Sequence, residues 1–211
     1  VLICSNSFAD VSAPHGRSGG ITGELANAVM QYCYATGNIS GYTVGGAVGR
    51  IYNSLRDHIS KMLNCYARGK VSGTYYVGGL VGYLELYDSR GYIYVEYCYA
   101  TGDVGYKGSY GSGLSGGQSN RDKCQVRYSY YNSENKYNKQ GFSATLGQMQ
   151  EKELYYMWNF NNIWAIDKNI NDGFPYLNVN GKIKNRTLEG YGDEDDPYLI
   201  YDEEDLWTLV D

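Results

Sequence analysis

The sequence predicts an all-β fold, a right-handed parallel β-helix or solenoid with repeats of about 30 residues and a short helical cap at its C-terminal end. A Cys-Tyr-Ala element begins at Cys33, Cys65 and Cys98, with spacings of 32 and 33 residues. Short β-branched stretches bounded by glycines follow each copy, and helical periodicity is absent from the repeats. This pattern favours stacked coils of short strands over a propeller, whose blades are longer, at about 40 residues.

Each repeat contains the same two elements in the same order. The Cys-Tyr-Ala element precedes a Gly-Gly-x-x-Gly element at 45–49 and 78–82, and Ser112 replaces the first glycine of the next copy. Glycine at these positions permits corners with positive φ and a close approach of neighbouring backbones. Because equivalent positions stack from coil to coil, we predict an inward ladder of small side chains, which consists of Cys33, Cys65 and Cys98 and ends at Ser129.

Composition excludes some classes of function. The 211 residues include 28 glycines and 25 tyrosines, and the net charge is -5. Without a basic patch, nucleic acid is not an expected partner. No apolar run reaches the length of about 18 residues that a membrane span needs. The 5 cysteines match neither a zinc motif nor a small disulfide framework.

The two elements, C-Y-A-T-G followed by G-G-L-V-G, resemble the GLUG repeat of bacterial surface proteins, and the similarity covers residues 1 to about 140. This resemblance implies an extracellular, elongated and β-rich module. Such modules occur in adhesin-like proteins and in the non-catalytic N-terminal regions of some immunoglobulin A1-cleaving peptidases. The resemblance implies no catalytic residues.

The sequence changes character after the repeats, which we assign to residues 1–141. Thr145 and Gln148 form a capping-box pattern ahead of apolar residues at helical spacing. We therefore predict a cap over 142–180, in which one short helix lies across the open end of the stack. A solenoid needs such a cap because its last coil exposes unpaired backbone groups.

The remaining residues are polar and acidic. We interpret 181–192 as a linker and 193–211 as the start of a following module, or as a tail that docks on its own or another chain. Asp193 and Asp195 are candidates for a Ca²⁺ site, because carboxylate oxygens suit that ion. They lack the spacing of a dedicated calcium loop, so a solvated acidic segment is favoured and no other cofactor is expected.

Four tyrosines that follow the ladder are the candidate binding residues. If the cysteines point inward, strand alternation turns their neighbours outward. A tyrosine stripe could bind sugar rings or a protein, since tyrosine anchors interfaces at a low entropic cost. The alternative is a structural aromatic ladder packed under a loop. The stripe consists of Tyr34, Tyr66, Tyr99 and Tyr131.

Catalytic and metal motifs are lacking in the sequence. His15 and His58 belong to no zinc-peptidase frame, and there is no nucleophile elbow. The ladder cysteines are too far apart for a zinc motif, although neighbouring coils could bring two within disulfide range. A β-helix polysaccharide hydrolase or lyase would need clustered carboxylates. We therefore expect no enzyme.

The sequence leads to two functional hypotheses. The first is a non-catalytic structural or adhesion module at the bacterial cell surface, or in a secreted protein. It would present a repeat-built face to a host or matrix protein, to a glycan, or to neighbouring domains of the same surface protein. The alternative is a substrate-recognition module of a larger secreted peptidase or polysaccharide-active enzyme.

Overall fold

The computed structural model describes residues 1–3, 5–106, 110–135 and 140–178. It is an all-β structure in which parallel strands stack as a β-solenoid of about 4 turns, as predicted. The predicted linker at 181–192 and the segment 193–211, with the candidate calcium ligands Asp193 and Asp195, lie outside the described residues. No helix within the described ranges has the length and apolar character to cross a bilayer.

Four coils and part of a fifth supply the strands. The first coil contains β1 (Leu2–Ile3), β2 (Asn6–Ser7), β3 (Val11–Gly19) and β4 (Thr22–Ala26). The second contains β5 (Val29–Gln31), β6 (Tyr34–Ala35), β7 (Ile39–Gly45) and β8 (Val48–Asn53). The third contains β9 (Ile59–Leu63), β10 (Tyr66–Ala67), β11 (Val71–Gly78) and β12 (Val81–Leu86). The fourth contains β13 (Tyr92–Glu96), β14 (Tyr99–Ala100), β15 (Val104–Tyr106), β16 (Tyr110–Ser112) and β17 (Ser115–Gln118), and then follow β18 (Cys124–Arg127), β19 (Tyr130–Asn132) and β20 (Phe142–Ala144).

Equivalent strands of successive coils pair in parallel and form four sheets, A to D. Sheet A has the order β1-β5-β9-β13-β18, and sheet B has the order β2-β6-β10-β14-β19-β20. Sheet C joins β3, β7, β11 and β15, with β16 also paired to β11. Sheet D joins β4, β8, β12 and β17. The main core lies between these sheets and is aliphatic, with residues such as Met30, Ile51, Leu80 and Ile93 fully buried.

The corners with positive φ are not made by the repeat glycines, contrary to the prediction. A positive φ instead recurs at the residue that precedes each ladder position, with values between 48° and 55° for Tyr32, Asn64, Tyr97 and Tyr128. The repeat glycines instead meet a facing backbone or side chain. A Cβ on Gly46 would overlap the Gly79 carbonyl oxygen of the next coil and would lie 2.5 Å from the Cβ of Ala67 across the interior. The close approach of two coil walls, rather than an unusual backbone angle, therefore requires glycine there.

The last coil replaces the small inward alanine by a large ring. Tyr131 pairs in register with Ala100, and its side chain is 3% exposed. A Cβ added to Gly113 would overlap the Tyr131 ring, so this glycine makes room for the tyrosine. Tyr131 thus fills the interior where no further complete coil stacks.

The cap begins as predicted but does not become an α-helix. The Thr145 amide donates to Gln148 Oε1 at 3.0 Å, and the Gln148 amide donates to Thr145 Oγ1 at 3.2 Å, which completes the capping box. The chain then forms two 3₁₀ turns, η1 (Gln148–Gln150) and η2 (Lys152–Leu154). The Met149 carbonyl accepts the Tyr155 hydroxyl at 2.6 Å, a bond to a side chain rather than a continued helical ladder.

The chain divides into two compact units after Trp158, inside the predicted cap of 142–180. The described part of the second unit contains a short antiparallel pair, β21 (Trp164–Ala165) and β22 (Tyr176–Leu177). A 3₁₀ turn, η3 (Asn171–Gly173), separates the two strands, and the Trp164 side chain is 1% exposed.

Candidate functional site

The predicted ladder lies in the core, and its side chains are hydrogen-bonded from coil to coil. The Cys33 amide donates to Cys65 Sγ, and the Cys65 amide donates to Cys98 Sγ, both at 3.4 Å. The Cys98 amide donates to Ser129 Oγ at 3.1 Å. Each ladder side chain also donates to the carbonyl two residues earlier, at 2.8 to 3.1 Å. The thiols therefore act as polar bridges, and serine serves equally well at the end.

This ladder is a structural feature rather than a reactive one. Cys33, Cys65, Cys98 and Cys124 are buried free thiols, so the disulfide alternative does not apply to them. The hydrogen bond with Cys65, together with burial, raises the pKa of Cys33 well above that of an ordinary thiol. Burial also raises the pKa of Cys65. Protonated, enclosed thiols are poor nucleophiles and poor metal ligands.

The tyrosines next to the ladder form a stacked column, and its fourth member is not the tyrosine that the sequence predicted. Ring centroids are 4.7 Å apart between Tyr34 and Tyr66 and 4.9 Å apart between Tyr66 and Tyr99, with planes within 4°. In the next coil Tyr130 pairs with Tyr99, because Ser129 occupies the ladder position. Tyr131, predicted as the fourth member, points into the core. The tyrosine column therefore consists of Tyr34, Tyr66, Tyr99 and Tyr130.

Three members of the tyrosine column, Tyr66, Tyr99 and Tyr130, are buried and Tyr34 is half-buried, so the column is not the outward-facing stripe that strand alternation predicted. Tyr66 and Tyr99 are 4% and 0% exposed. Trp158 packs on Tyr99 and on Tyr130, with centroid distances of 6.3 and 6.0 Å, and Tyr155 meets Tyr130 edge-on at 5.1 Å. At the end that Tyr155 and Trp158 cover, the column therefore matches the alternative given above, a structural aromatic ladder packed under another segment of the chain.

A second group of tyrosines, absent from the predicted site, lies on the outside of sheets C and D. The Tyr42 ring stacks on Tyr75 at 5.1 Å. Tyr76 is held between Tyr83 at 4.1 Å and Tyr110 at 5.0 Å. The Tyr75 ring meets Tyr76 and Tyr110 edge-on and so joins the two stacks. We call these five residues the bend cluster: Tyr42, Tyr75, Tyr76, Tyr83 and Tyr110.

A β-bulge produces the bend cluster. In sheet C, Gly41 pairs with Gly73 and Thr43 pairs with Tyr76, so one residue of the second coil faces two of the third. Such bulges bend a strand and redirect its side chains. Tyr42 is 43% exposed and Tyr110 is 38% exposed, although both belong to a stacked aromatic group. One sequence signal could have revealed the cluster, since all of its tyrosines except Tyr83 lie two or three residues before Gly45, Gly78 or Ser112.

Ion pairs border the bend cluster on sheet D. Arg50 pairs in register with Tyr83 and bonds to Glu24 and Glu85 from the coils on either side. Burial opposes the charge of Arg50, but the bonds from the two carboxylates outweigh it and raise the pKa of the guanidinium. Arg17, next to the cluster in sheet C, also contacts Glu24, at 3.3 Å. Two arginines and two glutamates therefore neutralise one another.

The tyrosines at the centre of the cluster stay protonated at physiological pH. Burial and a hydrogen bond with Tyr75 raise the pKa of Tyr76, and burial also raises the pKa of Tyr83. Their hydroxyls can therefore donate as well as accept hydrogen bonds. In the described ranges, no three His, Cys, Asp or Glu side chains are grouped so as to hold a metal ion.

The stacked sheets, the internal ladder and the exterior aromatic groups define the chain as a parallel β-solenoid repeat protein. Residues 73–105 match the family model described as the GLUG motif. The chain therefore contains a GLUG repeat, which confirms the predicted repeat type. No curated protein and no solved structure matches the chain.

Proposed function

We propose that this chain is a non-catalytic structural and adhesion module of an extracellular bacterial protein. The observation that carries the proposal is the bend cluster, in which tyrosines from three successive coils meet on the outer surface with two rings substantially exposed. Tyrosine supplies large contact area and a hydrogen-bonding hydroxyl with little loss of side-chain entropy, so it is favoured in binding surfaces.

The scaffold under the cluster suits display. Of the strands that carry the cluster, β7, β11 and β12 are hydrogen-bonded to the coils on both sides, β16 pairs with β11, and the core beneath them is buried. A surface built on packed strands holds its side chains in fixed positions, which reduces the entropy lost on binding. The GLUG repeat and the resemblance to surface proteins support an extracellular location.

Binding of the purified chain to an array of glycans and extracellular-matrix proteins tests this proposal. Tyr42, Tyr75 and Tyr110 are changed together to serine, and the matched control changes Tyr87 and Tyr156, which are 78% and 76% exposed outside the cluster. We expect specific binding by the wild type and the control, and its loss in the triple variant with an unchanged circular dichroism spectrum. The absence of binding by the folded wild type, or binding that survives in the triple variant, would reject the cluster as an adhesive face.

A further inference from the structure

The outer end of the bend cluster offers a ring for stacking. Tyr42 contacts Tyr75 on the side of the third coil. On the side of the first coil the chain has no tyrosine at the equivalent bend, where Pro14, His15 and Gly16 lie between the paired residues. A Cβ added to Gly16 would meet only the Ala13 Cβ, at 3.6 Å, so this glycine is not packed against another element, and Tyr42 is 43% exposed. Tyr42 is therefore the terminal ring of a stack.

Hydroxyl groups run beside this ring. Ser12, Ser40 and Ser72 occupy one register position in sheet C, and Ser40 Oγ donates to Ser12 Oγ at 3.0 Å. Ser40 lies two residues before Tyr42, and side chains two apart share a face of a strand. We call these three residues the serine row. The row and the bend cluster together present hydroxyls next to aromatic carbon, repeated at the strand spacing of about 4.8 Å.

The charges around this surface favour an uncharged ligand. Arg17 and Arg50 are both bonded to Glu24, and Arg50 is bonded to Glu85, so the ion pairs that border the cluster carry no net charge. A strongly charged partner would find no complementary potential here. A sugar ring has the matching chemistry, with apolar C–H faces that pack on aromatic rings and hydroxyls that exchange hydrogen bonds with serine and tyrosine.

We propose that the bend cluster and the serine row bind a neutral polysaccharide, a chain of uncharged pyranose rings, with Tyr42 as the stacking platform. This inference rests on the adhesive role proposed above and narrows it to one ligand class. The sugar chain lies along the stacking direction, so that successive coils contact successive parts of the ligand.

Titration of the purified chain with cellohexaose, mannohexaose, xylohexaose and chitohexaose tests the proposal, with oligogalacturonate as the anionic comparison. We expect binding of at least one neutral oligosaccharide, weakened about tenfold by Tyr42→Ala, as for loss of an interface anchor. Ser40→Ala removes one hydroxyl and should weaken binding by a smaller factor. Tyr87→Ala, at an exposed tyrosine outside the cluster, should leave it unchanged.

The outcomes separate this inference from the adhesive role. If the array finds a matrix protein or an anionic glycan whose binding depends on the bend cluster, the adhesive role holds and the neutral-glycan inference is overturned. If neutral oligosaccharides bind equally well to wild type and Tyr42→Ala, the inference is likewise overturned. Thermal unfolding of each variant excludes misfolding as the cause of lost binding, because Tyr42 is half in solvent and its truncation should shift the midpoint little.

Discussion

Replacing Cys65 by alanine should reveal that the ladder thiols are hydrogen-bonding groups and not only apolar filling. The Cys65 sulfur accepts the Cys33 amide at 3.4 Å and donates to the Leu63 carbonyl at 3.1 Å. Alanine leaves that buried amide without its acceptor, which costs about 1–3 kcal/mol. Loss of the packed sulfur adds about 1 kcal/mol. We expect Cys65→Ala to lower the free energy of unfolding by about 2–4 kcal/mol.

Serine should restore most of this loss, because the chain already uses it at the end of the ladder. Ser129 Oγ accepts the Cys98 amide at 3.1 Å and donates to the Arg127 carbonyl at 2.8 Å. Cys65→Ser should therefore stay within about 1 kcal/mol of the wild type. Ser129→Ala is the companion variant, since it removes the same two bonds with a smaller loss of volume.

Urea unfolding followed by far-ultraviolet circular dichroism measures the four proteins under reducing conditions. The expected order of stability is wild type, then Cys65→Ser, with Cys65→Ala and Ser129→Ala lowest. If Cys65→Ala were as stable as Cys65→Ser, and Ser129→Ala were neutral, the bridging role of the ladder would be refuted. The thiols would then be space-filling residues alone.

Three further predictions follow from the same geometry. Burial raises the pKa of Cys65 above the thiol value of 9.0, so the unfolded chain loses that proton first and the free energy of unfolding falls as pH rises beyond about 9. Urea unfolding from pH 8 to 10.5 should show that this free energy falls less steeply with pH in Cys65→Ser, by up to about 1.4 kcal/mol per pH unit. Equal slopes in the two proteins would contradict this prediction. Gly46→Ala places a Cβ 2.5 Å from that of Ala67 and should lower the free energy of unfolding by about 1–3 kcal/mol in the same assay. Gly147→Ala is the control, because its new Cβ meets nothing within 4 Å, and it should leave the stability unchanged. Equal effects of the two substitutions would show that the coil walls can separate. Trp158→Ala uncovers the tyrosine column and should lower the thermal midpoint, at a cost of about 3–5 kcal/mol, and a neutral result would mean that the column needs no cover.

The tyrosine column illustrates what strand alternation can predict and what it cannot. Alternation along a strand correctly placed Tyr34, Tyr66 and Tyr99 opposite the inward cysteines, and their rings stack as equivalent positions should. Alternation says which side of a sheet a residue faces, but it does not say what later packs on that side. Trp158 covers one end of the column, and this contact joins residues that are far apart in the chain.

The bend cluster depends on the register between neighbouring coils. Between Gly73 and Tyr76 the third coil has one residue more than the second, and the pairing of neighbouring coils determines how Tyr42, Tyr75 and Tyr76 meet there. The extra residue shows in the sequence as a longer repeat, since β7 (Ile39–Gly45) has 7 residues and β11 (Val71–Gly78) has 8, but the sequence does not say which side chains meet at the bulge. The recurrence of tyrosine before Gly45 and Gly78 was nevertheless present in the sequence.

The sequence by itself determined the repeat, the parallel stacking and the ladder positions, because identical local patterns at a constant period can bury their apolar residues only by stacking on one another. The sequence also predicted the start of the cap, because a capping box is a local interaction between residues close in the chain. The tertiary structure alone decided that Tyr131 fills the last coil, that the tyrosine column is covered, and that five other tyrosines meet at the bulge. These outcomes depend on contacts between distant residues, which a local pattern cannot specify.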